Sequence, residues 1–151
     1  MAARVFIGVG SNQGDRLEQI SKAVRAVGAL ARVRLCRMAT IIETAPVGPP
    51  QGPYLNTVIE IDTALSPHEL LAALKAIERQ FGRIPSAERW APRPIDLDVL
   101  LYDDRVIDEP ALRIPHERMH ERRFVLEPLA QLAPDVIHPV LKRSISDLVR
   151  Q

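Results

Sequence analysis

Two proline-rich stretches decide where this chain can build regular structure. Ala45–Pro53 holds four prolines and two glycines in nine residues, and Arg83–Pro94 holds three more prolines. Proline has no N–H and a fixed φ, so neither stretch suits a helix interior or a central strand. They divide the 151 residues into blocks 1–44, 54–82 and 95–151, and the elements must lie inside these. In the first block, Val5-Phe6-Ile7-Gly8-Val9-Gly10 reads as a strand buried on both faces, closed by the turn Ser11-Asn12-Gln13-Gly14. From Asp15 the apolar residues Leu17, Ile20, Val24, Val27 and Leu30 keep a helical period, with Glu18 placed to complete a capping box and Gly28 weakening the far end. Val33–Thr44 reads as one further strand.

The second block opens with an alternating strand, Tyr54–Thr63, whose Leu55, Thr57, Ile59 and Ile61 share a face. Ser66-Pro67-His68-Glu69 then starts a helix carrying Leu70, Leu74, Ile77 and Phe81, with its end at Gly82. In the third block Ile95, Leu97, Val99 and Leu101 alternate against Asp96 and Asp98, and Asp103-Asp104 turns that strand back into Arg105-Val106-Ile107. Weaker helices fit Arg122–Leu132 and Ser144–Arg150. The expected fold is α+β: a ferredoxin-like βαββαβ sandwich core with a C-terminal extension, a single domain over residues 1–151.

Composition excludes several classes of function. With 46% hydrophobic and 26% charged residues a packed core is expected, and a net charge of +1 gives no global field to recruit nucleic acid or an anionic membrane. No stretch approaches the roughly 18 apolar residues of a membrane helix, and the first ten residues are too weakly apolar for a secretory segment. The expectation is a soluble cytoplasmic protein, a monomer, with no nucleic-acid or membrane partner. Cys36, the single cysteine, rules out an internal disulfide framework and reads as a small buried hydrophobe.

The chemistry concentrates around the proline stretches. Asp96 and Asp98, two apart on a strand, leave one face about 7 Å apart and call for a hard divalent cation such as Mg²⁺. Arg83, Arg89 and Arg93 lie just upstream with Trp90 among them, and guanidinium forks bind phosphate well. An arginine loop running into a two-carboxylate strand is the combination expected for metal-bridged phosphoryl transfer. Tyr54 and Asn56 repeat the i, i+2 geometry on their strand, a ring and an amide suited to a flat heterocycle, with Phe124 as a second face. His116-Glu117-Arg118-Met119-His120 matches a zinc-protease pattern in charged surroundings, with His138 the nearest third ligand. Gly8–Gly14 matches neither a dinucleotide fingerprint nor a P-loop and reads as a strand-to-helix turn. An RNA-binding module would need aromatics and a basic face on the central strands, where this chain has two aspartates.

Arg89-Trp90-Ala91-Pro92-Arg93-Pro94-Ile95-Asp96-Leu97-Asp98 resembles the signature of the 6-hydroxymethyl-7,8-dihydropterin pyrophosphokinases of folate biosynthesis. The resemblance extends through Gly10-Ser11-Asn12, Thr44-Ala45-Pro46-Val47-Gly48, Tyr54-Leu55-Asn56, Glu78 to Arg83, and Pro115-His116 ahead of Arg122 and Phe124. It implies transfer of pyrophosphate from ATP to the pterin hydroxymethyl oxygen with release of AMP. By that likeness Asp96 and Asp98 hold two Mg²⁺ ions, and Arg83 and Arg93 neutralise developing charge. Tyr54 and Phe124 sandwich the pterin, whose edge meets Asn56, Thr44, Val47, Gly48, Trp90 and Asp96. Glu78, Trp90, Val99, Arg113, His116 and Arg122 match ATP contacts. Pro85 stands where many relatives carry a basic residue and Glu117 where some carry tyrosine, and the first proline loop is a residue shorter than in some.

Overall fold

The computed structural model describes residues 2–44, 53–81 and 94–150. Val47, Gly48, Arg83, Pro85, Arg89, Trp90 and Arg93 therefore lie outside the described residues. The element order is β1 (Ala3–Ser11), α1 (Arg16–Gly28), β2 (Val33–Met38), β3 (Ile42–Thr44), β4 (Tyr54–Thr63), α2 (Pro67–Gln80), β5 (Asp96–Tyr102), β6 (Ile107–Glu109), β7 (Leu112–Ile114), α3 (Arg123–Leu132) and α4 (Ile145–Val149), with a 3-10 turn at Met119–Glu121. The sheet runs β2-β4-β1-β5, with β3 continuing beside β4, and every pairing is antiparallel. This is the strand order of a split βαβ core.

The helix starts follow their caps. Asp15 accepts from the Glu18 N–H at 3.1 Å, and Gly14 takes φ +68°, a left-handed turn that glycine adopts without strain. At α2 both capping-box bonds form: Ser66 Oγ accepts from Glu69 N–H at 3.2 Å, and Glu69 Oε1 accepts from Ser66 N–H at 2.8 Å.

Each sheet face has its own core. Val5, Ile7, Val9, Ile59, Ile61, Leu97 and Val99 pack under α1 and α2, whereas Phe6, Val58, Leu100 and Leu101 pack under α3 and α4. The C-terminal extension is thus a third layer that covers the second face. Among the described residues no helix is long and apolar enough to cross a membrane.

The structure differs from the sequence reading in several places. Val33–Thr44 is two strands: Ala39 N–H donates to the Val58 carbonyl and Thr57 Oγ1 donates to the Ala39 carbonyl at 2.8 Å, which pins the break. Cys36 is half-buried at a bulge of edge strand β2 and not a core residue. Leu17 points outward, 55% exposed. A bulge shifts the β1–β5 register between Phe6 and Ile7 and passes over Leu100, so Leu101 moves to the face opposite Leu97 and Val99. The turn at Asp103 forms, but the segment after it pairs with β7 and not back onto β5. Gly8 and Gly10 lie inside β1, as the strand reading had them, and the strand runs on through Ser11 before the turn to α1.

Candidate functional site: a glycine-floored row across three strands

Antiparallel register places the site. Gly10 pairs with Asn56 on β4 and with Asp96 on β5; Gly8 pairs with Val58 and with Asp98. Directly paired residues share a face, so Asn56, Gly10 and Asp96 form one row and Asp98 stands in the next. Asn56 and Asp96 are two strand spacings, about 10 Å, apart. The glycine between them leaves a flat floor. A Cβ at Gly10 would come within 2.8 Å of Asn56 Oδ1, so the Asn56 side-chain oxygen lies over that floor, on the way to Asp96.

Asn56 is buried, and its Nδ2 donates to Thr44 Oγ1 at 2.7 Å. Thr44 in turn pairs in register with Tyr54, which is half-buried at the head of β4. The amide is therefore oriented by β3, with its acceptor end turned to the row. Phe124, half-buried in the first turn of α3, carries the Arg122 guanidinium 5.6 Å from its ring centroid.

Asp96 is half-buried and Asp98 exposed, both ahead of the bulge and on the same face. The strand that carries them is held by Glu78, a buried acid of α2, whose Oε2 accepts from Leu97 N–H at 2.8 Å. Asp98 opens onto a cleft of about 230 Å³ lined by Leu71, Lys75, Glu78, Val99, Arg113 and His116, among others. His116 Nδ1 accepts from Arg118 N–H at 3.2 Å, so the neutral ring carries its proton on Nε2. Burial holds the His116 imidazole below its ordinary pKa, with the Asp98 carboxylate opposing that and the Arg122 guanidinium adding to it. Arg113 is already engaged, with Asp108 at 3.0 Å and Glu117 at 3.6 Å, and these partners raise its pKa.

The structure thus gathers Thr44, Tyr54, Asn56 and Asp96 along one end of the sheet, and Glu78, Asp98, Val99, Arg113 and His116 around the adjoining cleft. Glu78, expected as an ATP contact, lines the cleft, and its buried carboxylate also holds the β5 backbone. Sequence reasoning missed the Gly8/Gly10 floor, for which glycines inside a strand pattern were the available signal. It also missed Leu71 and Lys75, which share a helical face with Glu78 at i, i+4 and i+7.

The histidine pattern does not form a metal-binding helix. Residues 116–120 are turn and 3-10 structure; His116 lines the cleft, while the His120 ring stands edge-on to His138 at 6.2 Å. On the sheet face where an RNA-binding module would stack bases, α3 and α4 cover Phe6, Val58, Leu100 and Leu101. Two carboxylates suit a Mg²⁺ that keeps water and phosphate oxygens as its other ligands. Among the described residues no group of three or more His, Cys, Asp or Glu is placed to hold an ion.

Comparison with known proteins gives the family. The model of the family described as 7,8-dihydro-6-hydroxymethylpterin-pyrophosphokinase (HPPK) matches residues 6–134. The chain is 43% identical over 140 residues to the 2-amino-4-hydroxy-6-hydroxymethyldihydropteridine pyrophosphokinase of Pseudomonas aeruginosa, covering 92% of this chain and 86% of that one. Against the Synechocystis protein of the same name it is 39% identical over 145 residues, covering 96% and 74%. In the solved Plasmodium falciparum wild-type HPPK-DHPS with pterin and p-hydroxybenzoate, the fold recurs with a TM-score of 0.79 at 15% identity, over 99% of this chain and 43% of that one. A family match over most of the length, together with relatives near 40% identity, means that this chain belongs to the 7,8-dihydro-6-hydroxymethylpterin-pyrophosphokinase (HPPK) family.

Proposed function

We propose that this chain is a folate-pathway pyrophosphokinase. It transfers pyrophosphate from ATP to the hydroxymethyl oxygen of 6-hydroxymethyl-7,8-dihydropterin and releases AMP, acting as a single domain. The observation that carries this reading is the Asn56–Gly10–Asp96 row, with Asp98 and the cleft beside it. A heterocycle lying on the glycine floor meets an oriented amide at one end and two carboxylates at the other. Asn56 Oδ1 accepts from a ring N–H, and Tyr54 and Phe124 supply apolar faces. ATP occupies the cleft, where His116 Nε2–H donates to its phosphates; Arg122, close enough to act on the His116 imidazole, donates to them from the start of α3. Arg83 and Arg93, outside the described residues, neutralise charge that grows as the bond to AMP breaks. Mg²⁺, held by Asp96 and Asp98, supplies charge neutralisation across the polyphosphate when bound. The chain's own task is to hold the hydroxymethyl oxygen in line with the β-phosphorus and to keep water away.

The test is product identity and metal dependence. With Mg²⁺, ATP and hydroxymethyldihydropterin, one AMP is expected for each pterin pyrophosphate. Asp96→Ala and Asp98→Ala should each lose on the order of a thousandfold in turnover and remain folded, since the loss is of charge stabilisation in the transition state. ADP as the stoichiometric product, or wild-type turnover in both variants, would overturn the reading.

A further inference from the structure

Arg16 has no role in the reaction outlined above, yet its contacts converge on the pterin-reading ladder. It is the first residue of α1, where the Asp15 cap fixes the start of the helix. Its Nη1 donates to the Pro53 carbonyl at 2.8 Å and stands 3.0 Å from Glu43 Oε2. Glu43 is the middle residue of β3 and the register partner of Leu55, and Pro53 immediately precedes β4. One nitrogen therefore ties the two strands together at the end where Thr44 pairs with Tyr54 and orients Asn56.

Strand β3 is three residues long and, among the described residues, pairs only with β4. So short an edge ladder has little of its own to hold its register. The ion pair contributes little to global stability, because Glu43 is 56% exposed and the arginine side chain 29%. What it constrains is local: the spacing of Thr44 against Tyr54, and through Thr44 Oγ1 the direction of the Asn56 amide.

We propose that Arg16 is a positioning residue for pterin recognition, bracing β3 against β4 from the end of α1 so that Thr44, Tyr54 and Asn56 present one prearranged surface. This rests on the reading of that ladder as the pterin site. Arg16→Ala, Arg16→Lys and Asn56→Ala, each in the full chain, are titrated with 6-hydroxymethylpterin by fluorescence and with a non-hydrolysable ATP analogue by calorimetry, and melted in parallel. Arg16→Ala should weaken pterin binding about tenfold, the scale of one charge-assisted hydrogen bond. Arg16→Lys, which keeps a donor and a charge, should recover most of that. Binding of the ATP analogue and the melting temperature should stay near wild type. If Asn56→Ala weakens pterin binding and Arg16→Ala does not, the inference falls and the site reading stands. A parallel loss of pterin and ATP-analogue affinity, or a loss explained by a lowered melting temperature, makes Arg16 merely structural and also overturns it. Unchanged pterin binding in both variants removes the site reading together with the inference.

Discussion

At the scale of single residues, the site depends on a side chain that is absent. Gly10 sits in the most central pairing of the sheet, between β4 and β5, where a β-branched residue would ordinarily be favoured. A methyl group there would crowd Asn56 Oδ1 at 2.8 Å, and Asn56 could yield only by disturbing its 2.7 Å bond to Thr44. Gly10→Ala is therefore expected to weaken pterin binding by about tenfold while leaving ATP binding nearly intact, as loss of one oriented hydrogen bond would. Paired calorimetric titrations check this. An equal fall in both affinities would show that the floor supports the whole strand end and not the amide.

At the scale of elements, segments are held in place by side chains reaching for backbone. Glu78 holds β5 through Leu97 N–H, and the C-terminal loop has its own version. His138, buried in that loop, accepts with Nδ1 from Val140 N–H at 3.2 Å and from Leu141 N–H at 3.1 Å. Only an unprotonated Nδ1 can do this. Burial, and then the neighbouring His120, hold the His138 pKa below its ordinary 6.5. With the folded value depressed, its contribution to stability is complete above pH 6.5 and is lost as pH falls through the folded value. His138→Asn, whose side-chain oxygen can take over the acceptor role, should flatten that acid dependence. Amide exchange at Val140 and Leu141 measured across this range is the check, and parallel curves for the two proteins would refute it.

At the scale of the whole molecule, a carboxylate ties the third layer to the sheet. Glu60, buried on the α3 side of β4, accepts from Arg4 Nε at 3.1 Å and from Arg37 Nη2 at 2.7 Å. Arg37 also donates to the Leu132 carbonyl at the end of α3. Burial pushes the Glu60 carboxyl up, but the hydrogen bonds from Arg4 and Arg37 outweigh it and leave the pKa below its ordinary 4.5. The resulting stability is present above pH 4.5 and disappears as pH falls through the lower folded value. Glu60→Gln should cost about 2 kcal/mol near neutral pH, seen as a lower melting temperature. The gap to wild type should close in acid. A gap that stays constant down to about pH 3 would mean that the charge is not what matters.

Local signals were sufficient for what depends on neighbours in the chain. The caps at Asp15 and Ser66, the alternation of Tyr54–Thr63 and the shared face of Asp96 and Asp98 are legible because each is a matter of a few adjacent residues. The motif around Asp96 also pointed to the family, which the comparisons bear out. Register across the sheet was not legible. The bulge at Leu100 and the break at Ala39 are settled by contacts from distant segments, and alternation along one strand carries no information about them; the β6–β7 hairpin is local, but its three-residue strands are too short to show an alternation. For the same reason the sequence determined the candidate residues and the family, whereas only the tertiary structure decided that Gly10 lies between Asn56 and Asp96, that Glu78 serves the backbone of β5, and that Arg16 reaches the end of the β3–β4 ladder. Those three facts are distances between residues at least 19 positions apart, with the closest case being Glu78 and Leu97, and only packing of the finished sheet against its helices sets such distances.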